Sequence, residues 1–323
     1  MAFDCNNVRG LQWQANSCYM DVVFFSLFAT PQPFVEKRKA ASNLCGDGHD
    51  SNAFSREFKQ EITTMANTIR TSLEIKKMCR VFRAFLRKHR ECRLVRSYPD
   101  FAGPQQKEAL EFLQFLLSAL GMNGQKKLGA EVVIEKRFGV FARSRQNVVW
   151  KDWFNITDKR ASVIYRVPYQ EFKKHRRLSS YLRYHQDDFS IDAKYKGCVV
   201  NCTEEVVSLD RFADLLVVSV ERYDPVQSAL VGQQSVSVCH DSVQISPSLT
   251  DSTGKTLHLD AVIVHLGDTI SAGHYVSFKR CGTRWFFFDD LEQELVTYDS
   301  WSEALRCSHA DPRTHGVLYF YTL

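Results

Sequence analysis

The sequence predicts an α+β fold, helical through its first third and built of strands beyond it. Apolar residues recur at helical spacing from Phe54 to Leu86. From about Glu131 the pattern changes to short alternating runs of valine, isoleucine and aromatics, among them Val132-Val133-Ile134, Val148-Val149-Trp150 and Ala161-Ser162-Val163-Ile164-Tyr165. A third observation sets the two regions against each other: a cysteine heads the first helix, while a histidine and a carboxylate lie on late strands. With 323 residues, 44% of them hydrophobic, the chain can bury the core of one elaborated domain or of two packed lobes. A net charge of +5 is mild for this length and does not require a nucleic-acid partner. The ten cysteines run from Cys5 to Cys307 without the dense spacing of a secreted disulfide scaffold, which predicts a reducing compartment, cytoplasmic or nuclear. The N-terminus has no basic segment followed by an apolar core, and the run Val22 to Phe28 is too short to cross a bilayer, so no membrane is expected.

The first element is Asn16-Ser17-Cys18-Tyr19-Met20-Asp21, followed by the apolar run Val22 to Phe28. Two good N-cap residues precede the cysteine, which places its thiol in the first turn of a buried helix. There the positive end of the helix dipole, helped by a nearby imidazolium, favours the thiolate. This helix stops near Thr30-Pro31-Gln32-Pro33, and the polar stretch from Ser42 to Asn52 reads as a loop. A second helix runs from about Phe54, with Phe58, Ile62, Met65 and Ile69 on one face; a third runs from about Leu73, with Met78, Phe82, Phe85 and Leu86. The third carries Lys76, Lys77, Arg80, Arg83, Arg87 and Lys88, a solvated basic face with no aromatic interleaving to mark a nucleic-acid contact.

A fourth helix spans 104–121, with Pro104 at its start, acids in its early turns and Gly121 at its close. Glu108 and Glu111 share one side of it. They either complement the dipole or form an acidic pair able to receive an arginine. Lys173-Lys174-His175-Arg176-Arg177 reads as an exposed turn or short helix. Cys198 and Cys202, four apart, lack a second cysteine pair, and Cys239-His240 is a thin substitute, so no zinc is expected.

Late strands complete the chemistry. Asp214 to Val220 forms a central strand with a polar exit at Glu221-Arg222-Tyr223-Asp224, and Asp260 to Leu266 leads through the loop 267–272 to Gly273-His274-Tyr275. Gly273 lets another backbone or a substrate approach the neighbouring imidazole, which makes His274 the general-base candidate. His265, inside the preceding strand, is assigned a satisfied structural role. Trp285-Phe286-Phe287-Phe288 ends in Asp289 and Asp290, and a hairpin would set Asp289 beside His274, where a carboxylate can fix the ring's tautomer.

These residues carry a resemblance. Gly10 to Met20 resembles the cysteine box of ubiquitin-specific proteases, and the Glu108 helix, ending in Glu111-Phe112-Leu113, resembles their glutamine-rich box. Leu215 to Tyr223 is similar to their central strand, and His265 to Phe278 with Trp285 to Asp290 to their histidine box. Asn16-Ser17-Cys18-Tyr19 followed by Asp21 is closest in wording to the cylindromatosis-type branch. The resemblance implies one papain-like catalytic domain over 1–323, with a helical thumb (1–125), a reduced finger-like β extension (126–210) and an antiparallel β palm (211–323). It further implies a cofactor-free, monomeric deubiquitinase acting on ubiquitin or polyubiquitin conjugates. Cys18 attacks the carbonyl of ubiquitin's terminal glycine, His274 is the base, Asp289 orients it, and water releases the thioester. Glu108 and Glu111 match the acidic contacts to the arginine-bearing tail, with Gly273 and Tyr275 on the substrate side and the loop Gly267–Gly273 over a channel that admits only glycine.

Two departures stand out. Many relatives have an oxyanion-donating asparagine five residues before the nucleophile, where this chain has Trp13; loss of such a donor costs about 10²–10³ in rate in a serine protease. The Cys18 backbone N–H with Gln12 or Asn16 is the available substitute. The finger region lacks the paired zinc cysteines of many relatives. Three rival readings remain: a weakly catalytic ubiquitin-binding relative, a protease for another modifier ending in Gly-Gly, and a nucleic-acid-binding protein resting on Arg80–Arg96 and Lys173–Arg177 alone.

Overall fold

The computed structural model describes residues 3–31, 51–71, 78–122, 129–143, 148–187, 193–195, 198–224, 236–269, 272–292, 294–306 and 308–323. The loop expected over 42–52 lies outside these except for Ser51 and Asn52, which open a helix; Lys76 and Lys77 also lie outside. The helices of the first third are α1 (Cys18–Phe28), α2 (Ser51–Thr71), α3 (Met78–Lys88), α4 (Arg93–Arg96) and α5 (Ala109–Ala119). All eleven residues of α1 are buried, so it has no polar face to amphipathic order. Its Phe24 ring meets Phe82 of α3 and Phe112 of α5 edge-on, each at 5.2 Å between centroids, which locks three helices around one aromatic cluster.

The helix expected from Pro104 starts five residues later. Glu108 is its N-cap, with extended backbone (φ −79°, ψ 136°). The stretch before it is held by cross-links instead: Asn16 Nδ2 donates to Pro104 O at 3.1 Å and Gln106 Nε2 to Gly273 O at 2.8 Å. Gly121 closes the helix as expected, in the left-handed region at φ 64°.

Two sheets follow. In the smaller one, β1 (Ala130–Arg143) lies between β2 (Val148–Ser162) and β6 (Cys198–Phe212), and β6 also pairs with β4 (Arg183–Asp187) and β5 (Ala193–Tyr195). The side chains of Cys198 and Cys202 lie outside the described residues. The larger sheet runs β12 (Val296–Tyr298), β11 (Arg284–Phe288), β10 (Ala272–Cys281), β9 (Thr256–Thr269), β13 (Gly316–Thr322), β7 (Leu215–Val220) and β3 (Ile164–Val167), with β8 (Ser248–Thr250) on β9. The run Ala161 to Tyr165 is therefore split between the two sheets. All pairings among the described strands are antiparallel except β3 with β7. A short helix, α6 (Tyr169–Lys174), occupies part of the basic run.

The larger sheet is buried on both faces, which explains its nearly unbroken apolar strands. Val217, Ile263, Phe286, Phe288, Leu318 and Phe320 pack toward the helices, with Phe25 of α1 stacked on Phe288 at 4.4 Å. Their neighbours Val218, Val262, Val264, Phe287 and Tyr319 fill a second core on the other face. Lys279 and Asp260 form an ion pair inside this sheet. The loop expected over 267–272 is mostly ladder, since β9 continues to Thr269 and Ala272 pairs with it. The ten cysteines were expected to stay reduced, yet Cys5 and Cys281 form a disulfide across 276 residues. Local spacing cannot reveal a bridge between the N-terminal turn and the far end of β10.

Candidate active site

Cys18 starts α1 after a turn that the backbone holds under constraint. Ala15 (φ 49°) and Asn16 (φ 58°) both sit in the left-handed region without being glycine. Arg83 holds that turn: its Nη1 donates to the carbonyls of Gln14 (3.1 Å) and Ala15 (2.9 Å), and its Nη2 to that of Asn16 (3.4 Å). Expected on a solvated face, Arg83 is buried. Ser17 precedes the helix, but its hydroxyl does not cap the backbone. It accepts from Gln14 N–H at 2.8 Å and donates to Asp21 Oδ2 at 2.5 Å. Burial pushes the Cys18 thiol up to about 11; the N–H groups of Tyr275, Tyr19 and Cys18 itself pull the other way, while the Asp21 charge adds to the rise. Desolvation thus opposes the thiolate expected from the helix dipole and a nearby imidazolium.

His274 stands on β10, next to the Tyr275 N–H that meets the thiol. The β10–β11 register, with Ser277 opposite Phe288, carries the chain past Phe288 so that Asp289 Oδ1 reaches His274 Nε2 at 2.7 Å. The Leu291 N–H donates to the same Asp289 oxygen at 3.0 Å. Burial works against charge on His274, but the Asp289 hydrogen bond and the surrounding carboxylates outweigh it and raise the pKa of the ring. Asp289 is desolvated too, yet the His274 bond and the Leu291 N–H bring its carboxyl below the usual range. Asp290 Oδ1 lies 3.5 Å from His274 Nε2. Donor atoms of His274, Asp289 and Asp290 fall within 4.8 Å of one another, with the imidazole hydrogen-bonded to Asp289.

On the other side of Tyr275 a cavity opens between α5 and the large sheet, lined by Glu108, Arg166, Glu221, Tyr223, His265 and Tyr275 among others. Burial, then the charge of Glu111, raises the Glu108 carboxyl, and Arg166 opposes them. Burial brings His265 down to about 4, so its ring is neutral at physiological pH. Its Nε2 has no hydrogen-bond partner among the described residues. Gly273 serves this ring: a Cβ there would come within 2.5 Å of His265 Nε2 and 2.7 Å of Leu266 O.

Comparison with known proteins decides the class. The family model described as ubiquitin carboxyl-terminal hydrolase matches residues 9–321. The chain belongs to the ubiquitin carboxyl-terminal hydrolase family. No curated protein matches its sequence. Among solved structures, the SAGA DUB module Ubp8/Sgf11/Sus1/Sgf73 bound to monoubiquitin is similar with TM-score 0.62 and 17% identity, over 100% of this chain and 70% of the other. The same module bound to ubiquitin aldehyde gives 0.62 and 18% over the same shares, and a yeast SAGA module carrying an Sgf73 variant gives 0.60 and 15%, again over 100% and 70%. At these identities the likeness shows the fold, α+β and papain-like.

In this ubiquitin carboxyl-terminal hydrolase chain the residues expected at the site are unevenly gathered. Asp289 bonds His274, the Tyr275 N–H meets the Cys18 thiol, and Gly273 lies against His265; Glu108 lines the adjoining cavity, while Glu111 is not part of its lining. Gln12 is exposed, and the Asn16 amide gives one of its two N–H groups to Pro104 O. Sequence reasoning missed Arg83, Glu221 and the buried Asp21. Only Glu221 left a signal, as the first polar residue at the exit of β7.

Proposed function

We propose that Cys18, His274 and Asp289 hydrolyse the peptide or isopeptide bond after the C-terminal glycine of ubiquitin. Family membership makes the chain a cysteine-type deubiquitinating protease, and the observation that carries the residue assignment is the 2.7 Å His274–Asp289 bond one residue from the N–H that meets the Cys18 thiol. Because Asp289 occupies Nε2, Nδ1 is the nitrogen left to take the thiol proton. The thiolate attacks the glycine carbonyl, the imidazolium returns its proton to the leaving amine, and water then cleaves the thioester with the imidazole as base. The Cys18 N–H and Gln12 are our candidates for holding the oxyanion. Glu108, with Glu221 facing the same cavity and Glu111 behind it, is read as the acceptor of the basic tail.

We assign 1–125 to a thumb, 126–210 to fingers, with Ile164–Val167 returning to the palm sheet, and 211–323 to a palm. We read the chain as nearest in motif wording to the cylindromatosis-type branch, and as a monomer acting on ubiquitin or polyubiquitin conjugates. Among the described residues no helix is long and apolar enough to cross a membrane. The high thiol pKa and Trp13 favour a second reading, a weakly catalytic ubiquitin binder. Ubiquitin with a cysteine-reactive electrophile at its C-terminus separates the two: intact mass should show a one-to-one adduct that vanishes in Cys18→Ala. No adduct from folded protein that still binds ubiquitin would leave the binder.

A further inference from the structure

Behind the His274–Asp289 pair two carboxyl groups face each other in the interior. Asp21, on α1, and Asp290, just after β11, are 0% and 1% exposed. Asp21 has donors on both oxygens, the Ser17 hydroxyl on Oδ2 at 2.5 Å and the Cys79 thiol on Oδ1 at 2.9 Å. Neither oxygen of Asp290 receives a hydrogen bond from a donor among the described residues. The His274 proton goes to Asp289 at 2.7 Å and leaves Asp290 at 3.5 Å, so the polar group that Asp290 meets is the carboxyl of Asp21. The other titratable groups around the pair are Cys18 on α1, Cys79 and Arg83 on α3, and Asp289; the Arg83 guanidinium is engaged with the carbonyls of Gln14 to Asn16.

Two buried carboxylates in contact cannot both ionise, and one proton must lie between them. Its place follows from the donors. Asp21 is already stabilised as an anion by two hydrogen bonds, whereas Asp290 has none and gains one only by donating. We propose that Asp290 is a neutral carboxylic acid whose O–H donates to Asp21, and that it acts as a positioning residue. The bond completes a path from Asp290 through Asp21 and Ser17 to the Gln14 N–H, while the Trp13 N–H donates back to Asp290 O at 2.8 Å. It thereby ties the turn before Cys18 to the segment that carries Asp289. It also leaves Asp289 as the one carboxylate hydrogen-bonded to His274, and keeps a second negative charge, beside that of Asp21, away from a thiol that must ionise. This role rests on the proposed catalytic assignment; the proton itself does not.

Infrared difference spectroscopy of the whole chain at neutral pH reads the proton directly, without ubiquitin or turnover. Wild type minus Asp290→Asn should show the C=O stretch of a protonated carboxyl group, lost in the variant. In Asp21→Asn the new amide can donate to Asp290, which then ionises, and the band should be lost there as well. A band that survives Asp290→Asn, or one lost only in Asp21→Asn, overturns the assignment. If Asp290→Asn does not fold, carboxyl-carbon NMR of aspartate-labelled wild type decides: one aspartate should keep the chemical shift of the protonated acid at neutral pH, and its absence overturns the proposal. A ubiquitin adduct without the band would sink the shared proton alone; the band without an adduct would sink the catalytic reading alone.

Discussion

A thiol pushed up to about 11 is inert until a base takes its proton, so the chemistry of Cys18 depends on the state of His274. Below its raised pKa the imidazole is already protonated and cannot accept, so the acid limb of kcat/KM should lie above the ordinary histidine value of 6.5. Replacing Asp289 by Asn removes the main group holding that pKa up. Turnover should fall by about 10²–10⁴-fold and the acid limb should move down, read in a pH–rate profile beside a far-UV spectrum that shows the fold intact. Reversing Glu108 to Lys should raise KM for ubiquitin substrates by roughly tenfold, the scale of one charge-assisted hydrogen bond, with little change in kcat. An unchanged KM would remove Glu108 from the tail site. At this scale the sequence was informative where a side chain's role is announced by its neighbours. The helix start at Cys18 was visible, although Ser17 does not cap it, and the predicted hairpin does set Asp289 beside His274. Asp21 was not, because it lies inside an apolar run and its partner is 269 positions away by number (290 − 21).

Elements explain why the site is held in place. Arg83 lies on a helix whose basic residues read from sequence as one solvated face, yet its guanidinium reaches carbonyls 67 to 69 positions earlier in the chain. Helical spacing identifies which residues share a face; it does not say that one of them finds a buried partner in another segment. Arg83→Ala should cost about 2–3 kcal/mol in denaturant unfolding, since it leaves three carbonyls of a left-handed turn without their donor. It should also slow the ubiquitin–electrophile reaction. The β9–β10 hairpin makes a second case. A methyl added at Gly273 would meet a ring nitrogen and a backbone oxygen, and the backbone cannot move aside cheaply. Gly273→Ala should therefore destabilise by about 1–3 kcal/mol in thermal unfolding and reduce activity. The start of α5 escaped the sequence because Pro104 is a legitimate helix opener; tertiary hydrogen bonds from Asn16 and Gln106 claimed the preceding stretch instead.

For the whole molecule, the alternation of apolar residues announced a strand-rich second part, and the observed sheet places successive side chains in two different cores. Long-range closure was the part that could not be read. Cys5 and Cys281 have no local spacing in common, and only the assembled fold brings the N-terminal turn against the end of β10. Cys5→Ser should lower stability by about 2–5 kcal/mol in denaturant unfolding under oxidising conditions, and reduction of the native protein should cost at least as much, since Cys92 is disulfide-bonded as well. That bond also turns nearly the whole polypeptide into a covalent ring. A protease that cuts once between residues 5 and 281 would leave two peptides still joined in one molecule, which migrates as a single species until a reductant releases the pieces.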